Sequence, residues 1–327
     1  MAREKEMIYG CLLGGAIGDA LGYPVEFMNY TDILQKYGTG GIRELEKGKA
    51  IVSDDTQMTL FTAEGILLTT SKDKVVDNIY LAYLRWLATQ GYNIPVIEEG
   101  WLIHDSRFHN RRAPGNSCLD SLKSGRMGQV EKPINNSKGC GGVMRVAPLG
   151  ILCPPDDAFL YGMKSAAITH GHPSGYYPAG ALARIISLIF NDHTLSKSVE
   201  NTLEYLEGYE ESEETHKALK KAYELSKEDN DIYKDICSLG EGWVGEEALA
   251  IGVYCALRFN DDFKSALIAA VNHDGDSDST GSITGNILGA VLGTDGIPEQ
   301  WGYRVELRDK INILADRLYY KHQLYYN

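Results

Sequence analysis

Two stretches of this sequence carry glycine at every fourth position: Gly10, Gly14, Gly18 and Gly22 near one end, and Gly281, Gly285 and Gly289 near the other. Four residues make about one turn of an α-helix, so each set forms a stripe bare of side chains. Glycine inside a helix costs about 1 kcal/mol relative to alanine, and a whole stripe of it calls for a packing reason. Bare stripes let neighbouring backbones approach closely. The membrane form of this device is excluded by the polar Ser282, Thr284 and Asn286 and by the lack of an apolar run of the ~18 residues that a spanning helix needs. Two central, closely packed helices of a bundle are expected.

Elsewhere apolar residues recur at helical spacing, with few two-residue alternations to compete. The expected helices cover about 6–22, 54–70, 74–90, 94–105, 115–124, 156–170, 175–190, 196–208, 212–227, 230–238, 244–258, 262–272, 279–292 and 303–321. No composition break marks a linker, so the expected architecture is all-α, one compact helical domain over 1–327. The 32 Lys and Arg against 45 Asp and Glu give a net charge of −13. That balance excludes a broad phosphate-tracking surface, and no nucleic-acid partner is expected. Six cysteines are scattered without a CxxC pair, which reads as reduced, mostly buried thiols. The charged start "MAREKEMIYG" has no h-region. A cytoplasmic protein with no membrane partner is the expectation.

The chemistry concentrates in two acidic turns. "HDGDSDSTGS" places Asp274, Asp276 and Asp278 just before the second glycine stripe, and "SDDT" places Ser53, Asp54, Asp55 and Thr56 before another helical pattern. Side chains two apart diverge within a helix, so Asp276 and Asp278 can converge only from the turn that begins one. Capping accounts for either turn alone. Together they offer only hard oxygen ligands, which suit Mg²⁺ or Mn²⁺ rather than zinc. Four gathered carboxylates would repel one another, and two divalent ions about 3.5–4 Å apart would neutralise them and serve a hydrolytic centre. The spaced glutamate of an EF-hand is missing. Asp19 and Glu26 follow the first glycine stripe, and the glycines of "SKGCGGVMRVAPLG" could offer backbone N–H groups to a pyrophosphate. His170, in "THGHPSG", ends a helical pattern.

Taken in order, "GCLLGGAIGDALGYPVEF", "SDDTQMTL", "GCGGVMRVAPLG", "THGHPSG" and "HDGDSDSTGSITGNILGA" resemble the motifs of the ADP-ribosylglycohydrolase family. The resemblance spans nearly the whole chain. It implies an all-α fold and a centre of two Mg²⁺, with Mn²⁺ as a substitute, that removes ADP-ribose from a modified protein and releases it as product. By motif matching Ser53, Asp54, Asp55, Asp276, Asp278 and Ser279 are the implied metal ligands. Glu26 borders the substrate ribose, Asp54 also faces substrate, Ser137, Lys138, Gly139, Cys140 and Gly141 form the loop over the diphosphate, and His170 lines the cleft. Cys140 stands where asparagine is common. The catalytic group is expected to be Glu26, Asp55 and Asp278, the two aspartates orienting the attacking water. The "GDSDSTG" form is closer to the arginine-specific hydrolases, so the expected reaction is cleavage of the N-glycosidic bond to arginine. A serine-linked substrate and a magnesium-dependent nucleotide phosphohydrolase are the alternatives; a non-catalytic relative would be expected to have lost these aspartates.

Overall fold

The computed structural model describes residues 3–95 and 99–326. Its elements run α1 (Arg3–Gly22), α2 (Tyr30–Tyr37), α3 (Asp54–Leu67), α4 (Val75–Thr89), α5 (Asn116–Lys123) and α6 (Ala147–Leu152). There follow α7 (Pro155–Ala167), α8 (Pro173–Phe190), α9 (Leu195–Leu206), α10 (Glu213–Leu225) and α11 (Ile232–Leu239). The chain ends with α12 (Gly245–Arg258), α13 (Phe263–Val271), α14 (Ser277–Leu292), α15 (Glu299–Arg304) and α16 (Arg308–Tyr326). Among the described residues there is no β-strand, only isolated bridges such as Ala50 with Val305 and Gly139 with Val244.

The glycine stripes face each other. A Cβ on Gly10 would lie 2.2 Å from the carbonyl oxygen of Gly289, one on Gly14 2.3 Å from that of Gly285, and one on Gly18 1.9 Å from that of Gly281. Rising numbers on α1 meet falling numbers on α14, so the two helices run antiparallel in backbone contact. Asn286 fastens them by donating its Nδ2 to the Cys11 carbonyl at 2.8 Å. Both helices are buried over most of their length, with α13, α12 and α16 packed around them. The antiparallel pairing also sets the end of α1 beside the start of α14.

Two expected helices fail for long-range reasons. The span 94–105 includes 96–98, which lie outside the described residues, and the rest holds only a 3-10 turn at Leu102–His104. The cause is Glu64, buried in α3. Its Oε2 accepts from Arg85 Nε at 2.9 Å, and its Oε1 accepts from the backbone N–H of Trp101 at 2.7 Å and of Leu102 at 2.8 Å. Those amides are thereby taken from a helix ladder and the buried carboxylate is satisfied. The span 303–321 is split into α15 and α16, because the stretch between them turns aside to pair with Ala50. Ala50 N–H donates to Arg304 O at 2.9 Å and Glu306 N–H to Ala50 O at 2.8 Å, and Leu307 then takes a positive φ of 61°. Two short helices were not expected: α2, begun by an Asn29 cap that accepts from the Asp32 N–H, and the single-turn-scale α6.

Candidate active site

Asp19 builds one wall. It is fully buried near the end of α1, and its carboxylate accepts from the Ser53 N–H at 2.9 and 3.0 Å and from the Thr56 N–H at 3.1 Å, as well as from the Thr56 hydroxyl. One carboxylate thus satisfies free N–H groups at the start of α3 and fixes that helix to α1. Ser53 caps α3, its Oγ accepting from the Asp55 N–H at 3.2 Å. Asp54 is held by its own N–H, which donates to Arg112 O at 3.1 Å, and by its Oδ2, which accepts from the Gly115 N–H at 3.3 Å.

The opposite wall is the turn before α14. Gly275 sits at φ 114°, where a Cβ would come within 2.0 Å of the Glu241 carbonyl oxygen, so glycine is required there. The next N–H, of Asp276, donates to that carbonyl at 2.8 Å. Asp276 is the N-cap of α14, its Oδ1 accepting from the Ser279 N–H at 3.3 Å, while Asp278 lies inside the first turn and accepts from the same N–H at 2.9 Å. One residue outside the helix and one inside it resolve the divergence that a regular helix would impose.

Both acidic turns open onto one cavity of about 340 Å³, lined by Asp54, Asp55, Asp276, Asp278, Ser279, Glu26, Gly139, Cys140, Gly141 and His170. Three residues named from the sequence stand elsewhere. Ser53 is fully buried behind the cavity lining, with its hydroxyl beside the Asp278 carboxylate. Ser137 bonds its hydroxyl to that of Ser117 at 2.7 Å and lines an adjoining cavity of about 400 Å³. Lys138 turns its ammonium to Glu246 at 2.8 Å and Glu214 at 3.2 Å. Within the glycine loop, the Gly139 N–H donates to Ser137 Oγ at 3.3 Å and the Cys140 N–H to Trp243 O at 3.1 Å, so these two donors are already engaged. The sequence reading missed Phe27, Trp243, Met144, Cys118 and the segment Ala113 to Ser117, all of which line the cavity. The only hint for that segment was the Pro-Gly turn in "RRAPGNS", where Ala113 takes a strained φ of 48°.

Burial dominates the electrostatics. It pushes the carboxyls of Asp54, Asp55, Asp276 and Asp278 above their ordinary range, and for the first three the charge of Asp278 adds to it. Burial, then the charges of Asp278, Asp276, Asp54 and Asp19, push Glu26 up to about 10. Asp19 is raised to about 7 by burial and Asp278, against the pull of its Thr56 and Ser53 hydrogen bonds. His170 moves the other way, down to about 3, through burial and the nearby Arg145 charge; it is a neutral ring at pH 7, with Nδ1 against the Thr169 hydroxyl at 2.8 Å.

These carboxylates fit a hard divalent cation in kind. All the donors are oxygens, and buried Asp55 Oδ1 and Glu26 Oε2 have no hydrogen-bond partner. Among the described residues, no three His, Cys, Asp or Glu side chains form a group that would hold an ion as it stands. The carboxylates are gathered but turned toward protein donors, Asp276 Oδ2 toward the Cys140 thiol at 2.7 Å and Asp54 toward Gly115. Among the described residues no helix is long and apolar enough to cross a membrane.

The sequence profile described as ADP-ribosylglycohydrolase matches residues 1–327. An uncharacterized protein of Archaeoglobus fulgidus is 28% identical over 97% of this chain and 97% of its own length. The ADP-ribosyl-[dinitrogen reductase] glycohydrolase of Rhodospirillum rubrum is 26% identical over 91% of this chain and 90% of its own. A solved structure titled ADP-ribosylglycohydrolase-related protein complex superposes with a TM-score of 0.70 at 23% identity, over 98% of this chain and 100% of that one, and shows the same fold. With the profile covering the chain from end to end and two acidic turns brought to one cavity, this protein belongs to the ADP-ribosylglycohydrolase family.

Proposed function

We propose that this chain is a divalent-metal-dependent hydrolase that cleaves the N-glycosidic bond between ADP-ribose and an arginine side chain. The observation that carries the reading is the convergence of Asp54, Asp55, Asp276 and Asp278, from two distant helix starts, on a cavity shared with Glu26. Asp54, Asp55, Asp276 and Asp278, with the hydroxyls of Ser53 and Ser279, would hold two Mg²⁺ or Mn²⁺. When bound, such ions supply Lewis acidity that makes water a usable nucleophile near neutral pH. Asp55 has a free buried oxygen with which to orient the attacking water and take its proton. Asp278 lies opposite, and the surrounding carboxylates favour the positive charge that builds on the sugar ring as a glycosidic bond breaks. Glu26 borders the ribose side of the cavity, and the Gly139–Gly141 loop and neutral His170 form the wall for the rest of the ADP-ribose. The "GDSDSTG" turn favours arginine over serine as the linkage.

The test is to incubate the protein with arginine-linked and serine-linked ADP-ribosyl substrates, with and without Mg²⁺, and to identify the products. Free ADP-ribose from the arginine substrate, abolished by chelation and restored by metal, is expected. Inorganic phosphate as the product would replace the reading with nucleotide hydrolysis, and equal or faster release from serine would move the linkage. Glu26→Gln is expected to lower turnover more than metal affinity, measured by calorimetry.

A further inference from the structure

Two aromatic rings stand where this cavity meets solvent. Phe27 and Trp243 are stacked, with ring centroids 5.8 Å apart and planes 19° from parallel. Both line the cavity, yet Phe27 is 74% exposed and Trp243 38%, whereas the aspartates behind them are buried. A stacked, exposed aromatic pair on the rim of a cavity is an apolar patch of the kind that marks a contact site. They differ in how they are held. The Trp243 carbonyl accepts from the Cys140 N–H at 3.1 Å, and Glu247 Oε2 clamps the preceding N–H groups of Glu241 and Gly242 at 3.1 and 3.2 Å. Phe27 follows Glu26 on a tight turn closed by Met28 N–H to Val25 O at 2.9 Å. Trp243 is the fixed ring, and Phe27 rides on the turn that carries Glu26.

We infer that this pair is the subsite for the side chain that bears the ADP-ribose, and that it selects a planar cation: the guanidinium of arginine stacks on Trp243 with Phe27 as its cover. The inference rests on the hydrolase reading above and deepens it. When a modified protein binds, its ADP-ribose enters among buried carboxylates while its own backbone stays outside, so the linking side chain must cross the mouth. That mouth is lined by both rings and by Glu26, and among the described residues no lysine or arginine lines the cavity. The rings now stack on each other at 5.8 Å, so Phe27, the more exposed of the two, moves off Trp243 to admit the guanidinium. A guanidinium is attracted to aromatic faces within about 6 Å, and most strongly to tryptophan. A serine linkage crosses the same mouth as a neutral O-glycoside and gains no cation–π attraction from the rings.

The experiment measures steady-state kinetics of the metal-loaded protein and of Trp243→Leu, Phe27→Leu and Trp243→Phe on ADP-ribosyl-arginine and on a serine-linked substrate, with calorimetric binding of free ADP-ribose to each. For Trp243→Leu, KM on the arginine substrate is expected to rise about three- to tenfold, with a smaller change in kcat. Trp243→Phe is expected to recover most of the loss, and free ADP-ribose to bind each variant as it binds the wild type. Melting curves verify that the exposed positions leave folding intact. Parallel loss of ADP-ribose affinity would mean that the rings hold the adenine and would overturn the clamp. So would an unchanged arginine KM for Trp243→Leu when the wild type does cleave arginine linkages, leaving the hydrolase reading standing. A wild type that cleaves only the serine linkage would overturn both.

Discussion

The thiol of Cys140 donates to Oδ2 of Asp276 across 2.7 Å, joining the glycine loop to the N-cap of α14. Burial, then the Asp276 charge, holds this thiol well above its ordinary value, so little thiolate is present at pH 7. A maleimide reagent is therefore expected to modify exposed Cys237 first and without loss of activity. Cys140 should react slowly, with inactivation, and Cys140→Ala should resist that second phase. Intact-mass spectra alongside an activity assay follow both phases; inactivation in step with Cys237 labelling would contradict the assignment.

The contact between α1 and α14 makes a sharp stability prediction. A Cβ at Gly18 would meet the Gly281 carbonyl oxygen at 1.9 Å, and one at Gly285 would meet that of Gly14 at 2.0 Å. Both obstacles are backbone, so neither yields without separating the helices. Gly18→Ala and Gly285→Ala are each expected to cost about 3 kcal/mol, the upper end for overpacking. Gly115→Ala, with open space around its Cβ position and φ of −59°, is expected to stay within about 0.5 kcal/mol. Denaturant melts compare the three.

Chelated protein should be unusually sensitive to alkali. Its cavity carboxyls are all raised, Glu26 to about 10, and so is fully buried Asp19, to about 7, against about 4 in an unfolded chain. The folded state then binds more protons than the unfolded one, and stability falls as pH rises. The contribution is complete below about pH 4 and is lost through pH 7 and beyond. Melting temperature in EDTA should drop between pH 5 and pH 8.5. Mg²⁺ should lift it most at the alkaline end, because a cation bound only by the folded form stabilises it. Parallel curves with and without metal would refute a shared cation site.

Asp55 and Asp278 are predicted to act as a unit. Asp55→Ala and Asp278→Ala should each remove most activity, and the double variant should lose little more, because residues that serve one centre give strongly non-additive losses. Independent sites add within about 0.5 kcal/mol, so additive rate losses would mean two separate caps. Without metal the variants should melt higher than wild type, since each removes a buried carboxylate from a repelling group.

What the sequence could reveal follows the range of each signal. The glycine stripe and the apolar spacing are local, and they located α1, α14 and most other helices within a few residues. Capping chemistry is local too, which is why Ser53 and Asp276 could be placed at helix starts. The Asn29 cap of α2 is a signal of the same local kind. Glu64 drawing the amides of Trp101 and Leu102 out of a helix, Ala50 splitting α15 from α16, and Lys138 turning to Glu246 all join residues far apart in sequence. No periodicity announces such contacts. Phe27 ends the motif "GCLLGGAIGDALGYPVEF", yet its place at the cavity mouth was not legible, and Trp243 was missed for a related reason: single aromatics in turns belong to no repeat.

Because α1 and α14 come from opposite ends of the chain, the order of synthesis matters. Gly10 leaves the ribosome long before Gly289, the residue whose backbone it must touch. At about 5–20 residues per second, the first helix waits on the order of 10–60 seconds for its partner. During that wait its bare stripe has nothing to lie against, and the two acidic turns are held apart in water. Such distant pairing slows folding and makes nascent α1 a natural client for chaperones. No chain that stops short of α14 can assemble the acidic cavity, so a prematurely terminated product would be inert rather than partly active.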